Sequence, residues 1–264
     1  MKQFVIDTVS AAGELLRNRF GRIQHIRRKS NASSIVTDVD LASEALILER
    51  VHRRFPDHNI IAEESGFENR GSDWTWVIDP LDGTSNYAAG IPWYGVMLAV
   101  MQGATPVVGA MYLPHDGTLY LAESGKGATR NDQPVRVTSA GQLEEVLLAY
   151  AVDGSRDAAQ TREQVRSFSL LLDHVRNVRA TNSLVDFALT IDGRLGGFIN
   201  HSTRIWDVAA AWLVLQEAGG RMTDLRGDAL DFSLGPDACD RNYAVMGSNP
   251  VLLSRLVELL ASVS

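Results

Sequence analysis

Apolar residues recur every three or four positions over residues 2–20, where Phe4, Val5, Val9, Ala12, Leu15, Leu16 and Phe20 share a face, and this predicts an amphipathic helix. A second run from about Asp40 to Phe55 repeats the spacing with Leu41, Ala45, Leu48, Val51 and Phe55, and Pro56 stops it. The rhythm then changes. NIIAEE, WTWVIDP, YGVMLAVMQG, TPVVGAMYL and GTLYLAES are short apolar runs, each closed by Gly, Pro, Asp or Asn, which predicts a meandering sheet. Beyond Val137 the two patterns alternate: VLLAYAV, VRNVRAT, GGFIN and AVMGS read as strands. Residues 157–174, SLVDFALTIDG, WDVAAAWLVLQEAGG and a last segment from Pro250 read as helices. The expectation is an α+β or layered α/β chain with a soft boundary near residues 138–145. It would divide an N-terminal half, 1–140, from a C-terminal half, 141–264, within one compact unit.

The chain has 264 residues, enough to bury a large core, with 45% hydrophobic and 22% charged residues, as in ordinary globular proteins. Its first residues lack the order of a secretory signal, and no apolar run approaches the roughly 20 residues that span a bilayer. A single cysteine, Cys239, excludes an internal disulfide and a cysteine-built zinc site, and it fits a reducing, cytoplasmic setting. The net charge of −7 argues against nucleic acid or an anionic membrane as a partner. An anionic small molecule could still bind where carboxylate-held cations reverse the local charge.

Chemistry concentrates in WVIDPLDGTSNY, residues 76–87. An apolar strand runs into Asp79 and Asp82, Pro80 bends the chain between them, and the carbonyl of Leu81 adds a third oxygen. A helix can begin at Gly83 and Thr84, whose free N–H groups would face an anion. Taken alone, the segment also reads as an aspartate-capped turn. Three further acidic places accompany it: Glu63 and Glu64 at the end of NIIAEE, Asp40 in TDVD opening the second helix, and Asp207 opening an unusually apolar helix. Solvation accounts for the glutamates in isolation, and helix capping for the two aspartates.

In combination, DPLDGT with EES upstream, WD-x-A-A-A with EAGG downstream, VTDVD and the GKGA turn at Gly125 to Ala128 resemble the inositol monophosphatase superfamily over nearly the whole chain. The resemblance implies an αβαβα sandwich like that of inositol monophosphatase and fructose-1,6-bisphosphatase, usually a homodimer, and lithium-sensitive hydrolysis of a small phosphomonoester. It assigns Glu63, Asp79 and the Leu81 carbonyl to a first magnesium, Asp79, Asp82 and Asp207 to a second, and a weaker third ion to Glu63 and Glu64. Asp40 would orient Thr84, which with Glu63 positions and deprotonates the attacking water, and the Gly83 and Thr84 backbone would bind phosphate. The all-oxygen ligand set favours magnesium, with manganese as a substitute, over zinc.

The substrate side departs from the pattern. The small-residue segment G-[ST]-A-A is here ATNSLVD, and Asn200 stands seven residues before Asp207 where inositol-binding members place a glutamate. Arg204 adds a cation nearby. One reading makes Asn200 a strand end and Arg204 a surface residue. The other gives both to a substrate-binding pocket suited to a second anionic group. The chemistry expected is inositol-1-monophosphatase-like, with histidinol phosphate, fructose 1,6-bisphosphate and nucleotide 3′-phosphates as alternative substrates. A non-catalytic binding protein on the same fold is the alternative from another class.

Overall fold

The computed structural model describes residues 1–23, 25–28, 35–152, 158–235 and 237–261. In the N-terminal part the elements are α1 (Lys2–Arg19), β1 (Ile26–Arg28), β2 (Ile35–Thr37), α2 (Asp38–Arg54), β3 (Asn59–Ala62), β4 (Gly66–Glu68), β5 (Trp74–Asp82), α3 (Thr84–Ala88), β6 (Gly95–Gln102), β7 (Thr105–Leu113), β8 (Thr118–Glu123), β9 (Ala128–Arg130) and β10 (Gln133–Pro134). They continue with β11 (Leu147–Ala151), α4 (Ala158–Leu172), β12 (Asn177–Arg179), α5 (Leu184–Ile191), β13 (Gly197–Thr203), α6 (Ile205–Glu217), β14 (Arg221–Asp224), β15 (Tyr243–Ser248) and α7 (Pro250–Ala261). Every helix and strand run named above is present. The first residue of the segment predicted as a helix over 157–174 lies outside the described residues.

Strands β3 to β10 form an eight-stranded sheet in the order β10-β9-β8-β7-β6-β5-β3-β4; the consecutive antiparallel pairs from β5 to β10 are the expected meander, whereas the NIIA run, β3, lies outside it because it pairs parallel with β5. Strands β1 and β2 pair with each other as an antiparallel hairpin, and the other five strands form a second large sheet, β12-β11-β13-β15-β14. Side-chain alternation along each strand divides the core into layers. Ile60, Trp76, Ile78, Val96 and Leu98 face α1 and α2, whereas Ile61, Val77, Met97 and Ala99 face α5 and α6. The second sheet turns Ala149, Phe198 and Val245 to the same middle helices and Leu148, Tyr150, Ile199 and Met246 to α4 and α7. The result is an αβαβα sandwich.

The middle layer explains WD-x-A-A-A. Helix α6 is apolar on nearly every side because it lies between two sheets, and Ala209, Ala210 and Ala211 are at most 1% exposed. A methyl group at Gly109 of β7 would sit 2.9 Å from the Ala210 carbonyl oxygen, so helix and strand approach at a distance only small residues permit. The far end of α6 is also fixed: the Glu217 carboxylate accepts the Gly125 and Gly127 N–H groups at 2.7 and 2.6 Å. EAGG and GKGA are thus two halves of one clamp.

Helix α2 corrects one expectation. Its buried residues are Val39, Asp40, Ser43, Glu44, Ile47 and Val51, while Leu41 is 47% exposed. Of the predicted face, Leu41 and Ala45 are turned out while Leu48 still packs at the edge of the core, because Asp40, Ser43 and Glu44 turn inward to hydrogen bonds at the site. Asp40 is also not the cap: the helix starts at Asp38, Thr37 caps it, and Asp40 is the third helical residue of a capping box.

A candidate metal and phosphate centre

Asp79 and Asp82 are three residues apart, so in a regular strand their side chains would point to opposite faces. Strand β5 continues through Pro80, and relative to β6 it carries one extra residue between Asp79, opposite Met97, and Asp82, opposite Gly95. This bulge brings the two carboxylates to the same side, which the expected bend at Pro80 alone would not describe. A similar slip lies in β13, where Asn200 opposes Val245 and Thr203 opposes Tyr243, just before α6 delivers Asp207. One carboxylate oxygen from each of Asp79, Asp82 and Asp207 then lies within 4.8 Å of the others.

Glu63 follows β3 and donates its N–H to Ile78 O at 3.2 Å, continuing the parallel register that pairs Ala62 with Ile78. Its side chain is outside the tight trio, yet its charge adds to the repulsion on Asp79 and Asp82. Burial, then Glu63, Asp82 and Asp207, push the Asp79 carboxyl well above the usual carboxylate range. Burial and Asp207 do the same to Asp82, opposed by the Leu184 N–H that donates to its Oδ1. Among the described residues no cationic side chain pairs with Asp79 or Asp82. An all-oxygen, mutually repelling donor set of this kind, with Asp79 buried and Asp82 and Asp207 half-buried, fits a hard divalent cation.

Asp207 is the third residue of α6, as Asp40 is of α2, and also a member of the acidic cluster. Its Oδ2 accepts the Arg204 N–H at the start of α6, while the carboxylate belongs to the acidic trio. The cap position itself belongs to Arg204, so Asp207 supports the helix start from its first turn without being the cap. Gly83 occupies the left-handed region at φ 81° and caps α3, and Thr84 begins that helix. Thr84 Oγ1 lies 2.8 Å from Asp40 Oδ1 and 2.9 Å from the Leu81 carbonyl oxygen. Asp40 is fully buried and also receives the Thr37 N–H at 2.9 Å and the Thr37 hydroxyl. Burial raises its pKa, and the hydrogen bonds from Thr37 and Thr84 oppose the rise.

Glu64 is half-buried, and its N–H donates to Glu44 Oε2 at 2.9 Å. A cavity of about 140 Å³ opens beside the trio, lined by Asp82 and Asp207 with the uncharged Asn182, Ser183, Asn200 and Ser202. Asn200 therefore lies at the cavity. Arg204 sends its guanidinium elsewhere, toward Asn242 Oδ1 at 3.4 Å.

Three supporting groups were not anticipated. Ser43 donates to Pro80 O at 2.7 Å and holds the bulge, Glu44 holds the Glu63–Glu64 turn, and Asp186 stands buried on the first turn of α5. The Asp186 Oδ2 accepts the Thr181 N–H at 3.4 Å, steadying the loop that carries Asn182 and Ser183. A signal existed for two of them. Glu44 shares a helical face with Ile47 and Val51, and Ser183 to Asp186 reads S-x-x-D, a capping-box spacing.

Residues 1–263 match the inositol monophosphatase family. The chain is 34% identical over 236 residues to an inositol-1-monophosphatase from Synechocystis, covering 88% of this chain and 82% of that one. It is 33% identical over 216 residues to a fructose-1,6-bisphosphatase/inositol-1-monophosphatase from Aquifex aeolicus, covering 81% of each. A solved IMPase structure from Thermotoga maritima superposes with a TM-score of 0.88 at 27% identity, over 99% of this chain and 96% of that one. Sequence, layered fold and acidic centre agree, and the chain belongs to the inositol monophosphatase family of phosphoric monoester hydrolases.

Proposed function

We propose that this protein hydrolyses small phosphomonoesters with magnesium held by Asp79, Asp82 and Asp207, joined by Glu63, the Leu81 carbonyl and, for a weaker third ion, Glu64. The observation that carries this reading is the convergence of three carboxylate oxygens within 4.8 Å beside an open cavity and with no side-chain cation to neutralise Asp79 or Asp82 among the described residues. Bound there, the ions supply Lewis-acid charge for activating water and for stabilising the leaving oxygen. Manganese would serve in the same ligand set.

The chain's own residues prepare the attack. Thr84 has one hydroxyl proton and two oxygen neighbours, Asp40 and Leu81. Donated to an ionised Asp40, that proton leaves the Leu81 carbonyl available as a ligand and turns a Thr84 lone pair outward. A water hydrogen-bonded to that lone pair is oriented toward phosphorus, and Glu63 is the nearby carboxylate that takes its proton. The Gly83 and Thr84 N–H groups complete the phosphate cradle.

On the alcohol side the cavity offers amide and hydroxyl groups and no cation among its lining residues. This supports an inositol-1-phosphatase-like preference for a polyhydroxylated leaving group, with Asn200 a neutral partner and Arg204 outside direct contact. The Aquifex relative's name couples fructose-1,6-bisphosphatase with inositol-1-monophosphatase, so breadth is expected here, with histidinol phosphate and nucleotide 3′-phosphates also as substrates to test. The discriminating experiment is kcat/KM for inositol 1-phosphate, histidinol phosphate, fructose 1,6-bisphosphate and adenosine 3′,5′-bisphosphate in the wild type, Asn200→Ala and Arg204→Ala. Asn200→Ala should raise KM for each substrate and Arg204→Ala should change little. A large loss confined to bisphosphates in Arg204→Ala would return Arg204 to the pocket.

A further inference from the structure

A cationic island stands beside the acidic centre. Between Glu14 and Asp38 the chain has no acidic residue and six cationic ones, Arg17, Arg19, Arg22, Arg27, Arg28 and Lys29, so this stretch carries +6 and leaves −13 for the rest of a protein of net charge −7. Lys29 lies outside the described residues, and the five arginines are all exposed. Among the described residues only Arg19 meets a carboxylate, Asp38 at 3.9 Å. Ordinary surfaces intersperse the two signs, which relieves repulsion. Here four arginines gather without that relief.

Two sets of contacts tie the island to the site. At the end of α1, Tyr87 on α3 donates its hydroxyl to Leu16 O at 2.7 Å, and Phe20 packs 5.3 Å from the Tyr87 ring and 5.0 Å from Tyr94. Arg17, Arg19 and Arg22 therefore border the short helix that Thr84 begins. In the hairpin, Ile26 pairs with Thr37, and His25 and Asp38 exchange hydrogen bonds at 3.1 and 3.2 Å. Thr37 is bonded to Asp40, and Asp40 to Thr84. Arg27 and Arg28 thus extend along a strand that is paired to the segment holding the catalytic threonine.

We propose that these arginines form an anion-gathering rim that concentrates phosphorylated small molecules at the mouth of the site and ranks them by total negative charge. The proposal rests on the phosphatase reading above. Exposed charges act over a Debye length of about 10 Å at 0.1 M ionic strength, so the rim needs no contact with the substrate. It offsets the net negative charge of the rest of the chain, against which a phosphate dianion must approach. It also supplies a preference for bisphosphates that the cavity wall, which has no cation among its lining residues, does not, and that preference vanishes in salt.

The test is steady-state kinetics of the magnesium-loaded enzyme with inositol 1-phosphate and fructose 1,6-bisphosphate at ionic strengths from about 0.02 to 0.5 M. The wild type is compared with an R17Q/R22Q/R27Q/R28Q variant, which spares the Arg19–Asp38 pair. The variant should raise KM at low salt by roughly tenfold for the bisphosphate and less for the monophosphate, with kcat and melting temperature unchanged. At high salt the two enzymes should converge. R27E/R28E should raise KM in the same direction with only two substitutions. Equal KM and equal salt dependence in an active wild type and both variants overturn the rim while leaving the phosphatase reading intact. A wild type that releases no phosphate overturns that reading and this use of the rim together. Binding of a labelled RNA that the quadruple variant abolishes, with KM unmoved, would reassign the surface to a polymer and refute the proposal.

Discussion

Asp82→Asn removes one charge from the acidic trio while keeping an oxygen that can accept the Leu184 N–H. Two unit charges at the trio's limiting separation of 4.8 Å repel by about 3.5 kcal/mol at an effective dielectric near 20. Asp82 faces two such neighbours, although uptake of protons by the raised carboxyls relieves most of that cost. The net relief from the substitution in metal-free protein is on the order of 1–3 kcal/mol, or about 2–4 °C per kcal/mol in a chain of this size. The variant should therefore melt above the wild type after chelation. Magnesium at about 100 times its dissociation constant adds roughly 2.7 kcal/mol to a protein with the site, and the variant should gain far less. The order of melting temperatures then closes or reverses. Differential scanning fluorimetry with and without magnesium reads this directly. A metal-free variant that melts below the wild type would show that Asp82 serves α5 as a cap and is not a strained ligand.

Asp186 gives a pH signature: burial pushes its carboxyl up to about 6 from the ordinary 3.8, so the folded state holds the proton more tightly and stability falls as pH rises from about 4 to 6. Asp186→Asn should remove up to about 3 kcal/mol of that fall, and identical pH profiles for the two proteins would refute the assignment. Thr84→Ala should lower kcat by roughly 10²–10⁴-fold while the magnesium-induced rise in melting temperature persists; loss of that rise would make Thr84 a ligand. Glu44→Ala removes the acceptor of the part-buried Glu64 N–H and should cost about 0.5–1.5 kcal/mol, with Glu44→Gln nearer to wild type, and equal thermal stability of all three would show that the Glu44 bond does not hold the turn.

Much of the architecture was legible because periodicity changes where the layers change. The strand at WTWVIDP and the apolar helix after Trp206 announce themselves locally, and their acids stand at element ends where only a cap or a ligand belongs. What stayed hidden depends on long-range pairing. Asp82 is bonded to Leu184 across 102 residues and Glu64 to Glu44 across 20. The bulge that aligns Asp79 with Asp82 is defined against β6, not by its own residues. The rotation of α2 followed from the same cause, since apolar spacing cannot weigh three polar side chains that find buried partners elsewhere. Arg204 is the converse case: a cation close in sequence to Asp207 whose side chain goes to Asn242.

The most direct test is phosphate release from inositol 1-phosphate by protein stripped with a chelator and then titrated with magnesium. Turnover should be absent in the stripped protein, return with magnesium, and fall again with lithium. Full turnover without metal, or no release from any of the four phosphate esters above at saturating magnesium, would contradict the account.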